Sequence, residues 1–169
     1  MSPRLAIVLF CLLIAGCGKA PLAEERIEAT SPVNYALWRS KMSSEMTPVQ
    51  WRLLDRAMQE HKYKVMADRV AHGSVAIDEV FRSRINEVRL YDAIQSGLQL
   101  RLNRLLAEKA ELDRATTINA RLRTREGDDA SAEVLSGMRR SQALRLDQLA
   151  SEIEEAEEEL SRLEQSFRQ

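Results

Sequence analysis

Histidine and cysteine are the side chains most often used for metal binding and nucleophilic catalysis, and this 169-residue chain has two of each. His61 and His72 could share one face of a helix, but they would lie about 16 Å apart, too far to bind one metal ion. The Glu-x-x-His spacing of bundle metal sites is absent, as are the HExxH, P-loop, GxGxxG and GxSxG patterns. We therefore predict no metal, no cofactor, no small-molecule substrate and no catalytic residue, and expect that the protein is not an enzyme.

Arginines are the second group of residues that could act chemically. Between Asp113 and Arg145, seven arginines outnumber five acidic residues. Such an excess favours contact with an anionic partner such as a membrane, a cell-wall polymer or an acidic protein, although solvated helix faces with internal ion pairs are the alternative. The formal net charge of −1 lacks the excess of positive charge that is typical of nucleic-acid-binding proteins. The candidate partner-binding residues are Arg121, Arg123, Arg125, Arg139 and Arg140.

The amino terminus has the pattern of a secretory signal. A positive charge precedes an apolar core, Leu5–Ala15, which is too short to span ~30 Å of hydrocarbon as a helix. The core ends in LIAGC at positions 13–17, which resembles the lipobox of bacterial lipoproteins. The resemblance implies cleavage after Gly16 and a lipid on Cys17. Because Gly18 is not an aspartate, it also implies a cell-envelope location, in the outer membrane and facing the periplasm.

The distribution of prolines divides the rest of the chain. We predict a signal peptide at residues 1–16, a lipid-anchored tether at 17–46 and a helical coiled-coil domain at 47–169. Within the tether, Ser31-Pro32 could begin a short helix whose apolar residues dock on the body, or the segment could be a disordered linker. No proline follows Pro48. Since proline costs about 3 kcal/mol inside a helix, continuous helix is permitted from there onwards.

Apolar residues after Pro48 recur at steps of three and four, which indicates helices rather than strands. We predict a first helix from Thr47 to about Gly73, a second, unbroken helix from Ser74 to Glu126, and a third from about Ala130 to Arg168. The turn at positions 127–129 makes the last two helices antiparallel. The predicted fold class is all-α, an antiparallel coiled-coil helical hairpin with a shorter N-terminal helix forming a three-helix base.

The charges suggest how the hairpin is aligned. A register in which opposed residue numbers sum to roughly 256 brings oppositely charged side chains together across a short turn. The expected pairs are Lys109 with Asp147, Glu111 with Arg145, Arg123 with Glu133, and Arg101 and Arg104 with the acidic run Glu152–Glu159.

One short string adds a family resemblance. Met46-Thr47-Pro48-Val49-Gln50 resembles the LTPxQ helix opening of the periplasmic helical stress chaperones and metal sensors of the CpxP/Spy type, with methionine in place of leucine. It covers five residues, a second such motif is absent, and helix capping alone also explains it. The resemblance implies an alternative function as a periplasmic chaperone or sensor-type binding module.

Our preferred interpretation is a lipid-anchored envelope protein that acts as a structural or adaptor protein. It would work through helix-mediated protein–protein contact, without catalysis. Its expected partners are the membrane, through the lipid on Cys17, and an envelope protein or a second copy of the chain.

The lipid anchor is directly testable. The chain should incorporate radiolabelled palmitate, and globomycin should cause its unprocessed precursor to accumulate. Cys17→Ser should abolish the labelling, whereas Cys11→Ser, in the segment to be removed, should retain it. A wild-type chain that stays unlabelled would contradict the prediction.

Overall fold

The computed structural model describes residues 21–124 and 128–167, and its regular elements are all helical. Five α-helices follow a short 3₁₀ turn at Leu22–Glu24: α1 Pro32–Glu45, α2 Pro48–Ala67, α3 Ser74–Ile85, α4 Leu90–Arg121 and α5 Asp129–Phe167. The predicted all-α class is confirmed. The predicted signal peptide, Cys17 and Arg125 lie outside the described residues. Within the described residues, no helix has the length and hydropathy needed to cross a membrane.

The segment before residue 47 is part of the folded body. Ser31 caps α1 by accepting a hydrogen bond from the backbone N–H of Asn34 at 3.1 Å. Trp38 and Met42, one turn apart on α1, are buried in the core. Of the two interpretations left open for this segment, the docked helix is the one that forms, and the body therefore begins upstream of the boundary expected at residue 47.

Helix α2 begins where the sequence predicts, but it ends earlier than predicted. Thr47 Oγ1 accepts from the Gln50 backbone N–H, and Gln50 Oε1 accepts from the Thr47 N–H, so each residue caps the other. The helix ends at Ala67 rather than near Gly73. Arg69 then adopts a positive φ of 53°, which a helix cannot accommodate.

The prediction of one unbroken helix from Ser74 to Glu126 is wrong. The helix is interrupted at Asn86–Arg89, which we call the junction, and it ends at Arg121. An extended segment, Glu25–Ala29, which we call the strap, pairs with the junction. Ile27 donates to the Val88 carbonyl at 3.0 Å, and Glu87 donates to the Ile27 carbonyl at 2.9 Å. The junction backbone therefore bonds to the strap instead of to a helical turn.

Side chains reinforce this pairing. Asn86 Oδ1 accepts from the Ala29 backbone N–H at 2.8 Å, and Arg26 Nη1 donates to the Glu87 carbonyl at 2.6 Å. Ile27 is fully buried. Because these contacts join the strap to the junction across more than fifty residues of sequence, a local helical pattern gives no sign of them.

The main core forms where α2 crosses α4. A Cβ atom at Gly97 would lie 2.6 Å from the Ala57 Cβ, so the two backbones approach as closely as glycine allows. The surrounding core draws on the strap and all five helices, so the base is larger than the three helices expected. Its fully buried large side chains include Ile27, Met42, Leu54, Val65, Ile85, Leu90, Ile94, Leu98 and Leu163.

Helices α4 and α5 form an antiparallel pair. Arg101 contacts Glu159 near the base, whereas Asn119 contacts Met138 far from it, so partner numbers fall as α4 proceeds. The sums of the paired residue numbers stay close to the value expected for the predicted register. A second, smaller core around Leu105 lies within this pair. The detailed knob-into-hole packing of a coiled coil stays a prediction.

The close crossing predicts opposite effects for two glycines. Gly97→Ala should destabilise the protein by about 1–3 kcal/mol, because the new methyl group overlaps Ala57 backbone and side-chain atoms. Gly137→Ala should stabilise it by about 0.5–1 kcal/mol, because nothing lies within 4 Å of that position and alanine favours helix. Urea unfolding followed by circular dichroism at 222 nm measures both. Equal effects would contradict the assigned crossing.

Candidate interaction surface

Two of the arginines predicted to bind a partner instead cap the carboxyl end of α4. Arg139 Nη2 donates to the carbonyls of Asn119 and Leu122, at 2.9 and 3.1 Å, and Arg123 Nη1 donates to the carbonyl of Ala120 at 2.8 Å. The last carbonyls of a helix lack intrahelical donors and carry partial negative charge. These two guanidinium groups therefore cap the helix and fix the start of the turn.

The other arginines of the set have different positions. Arg121 and Arg140 are exposed on α4 and α5 near the same turn. Arg125 lies outside the described residues. The structure thus brings Arg121, Arg123, Arg139 and Arg140 to one end of the hairpin, where two are bound to backbone and two are presented to solvent.

An apolar groove, which we call the end groove, lies beside these arginines. Its volume is about 400 Å³, and Leu122 and Val134 are 47% and 73% exposed. One turn before Leu122 on α4, Ile118 is 62% exposed. The remaining lining residues come from the first turns of α5: Ala130, Ser131, Leu135 and Met138.

The interior of the hairpin near this end contains buried polar atoms as well as apolar side chains. The Thr116 Oγ1 and Gln142 Oε1 atoms are buried without hydrogen-bond partners. An unsatisfied buried polar atom costs about 1–3 kcal/mol. The outer part of the hairpin therefore buries polar atoms while it exposes Ile118, Leu122 and Val134, the reverse of the usual distribution. Sequence reasoning missed the groove, although the four-residue spacing of Ile118 and Leu122 on a thinning apolar stripe was a signal.

The base of the hairpin has a charge cluster that joins three helices. Arg56 of α2 and Arg101 of α4 both contact Glu155 and Glu159 of α5. Arg101 and Glu159 are 10% and 15% exposed at the side chain, and their atoms lie 2.7 Å apart. Of the acidic run predicted to face α4, Glu155 and Glu159 are engaged in this cluster, whereas Glu154 and Glu157 are exposed on α5.

The pKa values of the two carboxylates in this cluster are shifted in opposite directions. Hydrogen bonds from Arg56 and Arg101 lower the pKa of Glu155 to about 2. Burial raises the pKa of Glu159, although the same two arginines oppose that effect. The Glu155 contribution to stability is present above its ordinary pKa and is lost as the pH falls toward 2, because the unfolded chain then binds a proton first.

The predicted charge pairs are partly correct. Arg101 faces the acidic run as expected. Arg104 instead forms a two-pronged contact with buried Glu60 of α2, at 2.5 and 3.0 Å, because α2 reaches that level of the hairpin. Arg145 pairs with Glu108, one turn from the expected Glu111.

The two remaining predicted pairs are wrong. Lys109 pairs with Asp113 on its own helix rather than with Asp147, since an i,i+4 partner is closer. Arg123 bonds to backbone carbonyls instead of Glu133.

The one histidine near a hydroxyl group has a structural contact. His61 Nε2 lies 2.9 Å from the Ala93 carbonyl and 3.3 Å from Ser96 Oγ. A carbonyl only accepts, so Nε2 carries the proton and is unable to take one from the serine. Burial lowers the pKa of His61. Across the described residues, no group of three potential metal-ligating side chains is assembled.

The arrangement at the end of the hairpin is an apolar groove with guanidinium groups at the same end. No protein-family model, no curated protein and no solved structure matches the chain.

The charge cluster predicts a large difference between two cation deletions. Arg101→Met should destabilise the protein by roughly 2 kcal/mol, because Glu159 stays buried with only Arg56 beside it. Lys109→Met should cost under ~0.5 kcal/mol, because its pair with Asp113 is exposed and lies within one helix. Urea unfolding at pH 7 compares them, and equal losses would contradict the role given to Arg101.

Proposed function

We propose that this protein is a lipid-anchored envelope protein that acts by contact, with the end of the α4–α5 hairpin as its binding surface. The observation that carries the proposal is the end groove, where apolar side chains are exposed beside guanidinium groups. Single exposed apolar side chains are common on monomeric proteins, but apolar side chains grouped in one groove with a polar rim are typical of an interaction site.

The hairpin holds this surface at a distance from the base. The contact between Arg104 and Glu60 is the outermost ion pair between α2 and α4. From Arg104 to Arg121, α4 extends for about 25 Å at 1.5 Å per residue, with α5 as its helical neighbour. A partner helix could therefore approach the end groove without meeting α1, α2 or α3.

The chemistry of the surface fits an acidic amphipathic helix of another envelope protein. Apolar side chains of such a helix would fill the groove between Leu122 and Val134, and its carboxylates would meet Arg121 and Arg140. The acidic run of this chain is less suitable, since Ala156 is buried and Ile153 is packed into the hairpin core. A second copy would have to unfold its own hairpin to present those residues.

The proposal is tested by photo-crosslinking in cells, with a photoreactive amino acid at Val134. The matched control is Val75, which is 79% exposed but lies on α3, away from the end groove. We expect Val134 to crosslink one distinct protein with an acidic amphipathic helix, and Val75 not to do so. Arg121→Glu with Arg140→Glu should reduce that crosslink several-fold, because like charges repel. The charge-matched control is Arg52→Glu with Arg69→Glu.

Three other outcomes would overturn the proposal. Crosslinks to the chain alone would indicate a homo-oligomer. A broad set of unrelated proteins, accompanied by suppression of aggregation in vitro, would favour the chaperone-like alternative. Equal crosslinking from Val75 and Val134 would show that the end groove is not the binding surface.

A further inference from the structure

The strap at Glu25–Ala29 decides whether residues 74–121 form one helix or two. We infer that it is a conformational latch: while the strap pairs with the junction, α3 and α4 are separate, and when it leaves, Asn86–Arg89 become helical and the two helices join. This inference concerns a region distant from the end groove and does not depend on the proposed function.

The junction sequence has no helix breaker of its own. Asn86, Glu87, Val88 and Arg89 include neither glycine nor proline, and all four are tolerated inside helices. Glu87 nevertheless has a φ of 62°, a left-handed conformation that is strained for a residue with a Cβ atom. The broken conformation is therefore imposed from outside, and helix formation would relieve the strain.

The apolar pattern is compatible with the joined helix as well. In an unbroken helix, residues spaced by three and four positions across the junction would form one continuous stripe. Its members are Ile77, Phe81, Ile85, Val88, Tyr91 and, beyond the polar Gln95, Leu98. The same residues therefore satisfy two arrangements, and the contacts of the strap select between them.

Those contacts are few and come from one short segment. Besides the two bonds of Ile27, the Glu25 carbonyl accepts from the Leu90 N–H at 2.7 Å, a donor that the first turn of α4 leaves free. The Ile27 side chain occupies the core beside them. Ile27 supplies both this buried side chain and two of the backbone bonds, so its removal from the core would weaken the pairing.

The test measures junction conformation by NMR in the full chain, held in detergent micelles. Ile27→Asp should expel the strap, because an isolated carboxylate is excluded from the core. We expect the ¹³Cα and ¹³C′ secondary shifts of residues 86–89 to change from non-helical to helical values. Glu28→Asp is the matched control, since Glu28 is exposed, and it should leave those shifts unchanged. Adding Glu87→Gly to Ile27→Asp should oppose the change, because glycine disfavours helix and accepts the positive φ.

Two results would overturn the inference. In a folded Ile27→Asp chain, junction shifts that stay at wild-type values would show that the break is intrinsic, and random-coil shifts would show that the junction melts instead of joining. Where Ile27→Asp unfolds α2 and α4, Asn86→Ala takes its place, because it removes the acceptor of the Ala29 bond and leaves Ile27 in the core. Its junction shifts should move part of the way to helical values, and unchanged shifts would refute the latch.

Discussion

The pairing of the strap with the junction is the constraint on which the remaining architecture depends. It interrupts a segment that contains no proline and whose junction residues are all tolerated in helices, and it thereby separates α3 from α4. Once separate, α3 places Phe81 edge-on against Tyr35 of α1, with ring centroids 5.9 Å apart. The first turns of α4 are then free to bury Leu90 and Ile94 in the core. A few long-range hydrogen bonds thus determine the placement of two helices.

Local signals in the sequence were sufficient for some features and not for others. The Thr47–Gln50 cap could be predicted because capping depends on residues three positions apart. The antiparallel hairpin followed from a turn and from apolar spacing. The break at Asn86–Arg89 could not be predicted, because its cause lies nearly sixty residues earlier, in the strap. Helix propensity depends only on the junction residues themselves, and here tertiary contacts override it.

The candidate surface shows a similar limit. The arginine-rich composition directed attention to the end of the hairpin, but charge counts did not reveal that Arg123 and Arg139 bond to backbone carbonyls. Nor did they reveal the end groove, which exists only when Leu122 and Val134 come together from different helices. Two carboxylates of the acidic run, Glu155 and Glu159, are instead bound to Arg56 and Arg101. The arginines and glutamates of this cluster thus hold three helices together at the base of the hairpin.

The unsatisfied Thr116 and Gln142 atoms give the hairpin a gradient of local stability. Near the base, Leu105 and Leu149 are buried in an apolar cluster, so opening there requires exposure of a core. Toward the turn, brief separation of the helices lets water reach the orphaned oxygen atoms, so opening costs less. Opening is therefore easier at the outer part of the described α4–α5 pair than at its base. A partner of the kind we propose would have to restrain this motion, so part of its interaction energy would be used for ordering.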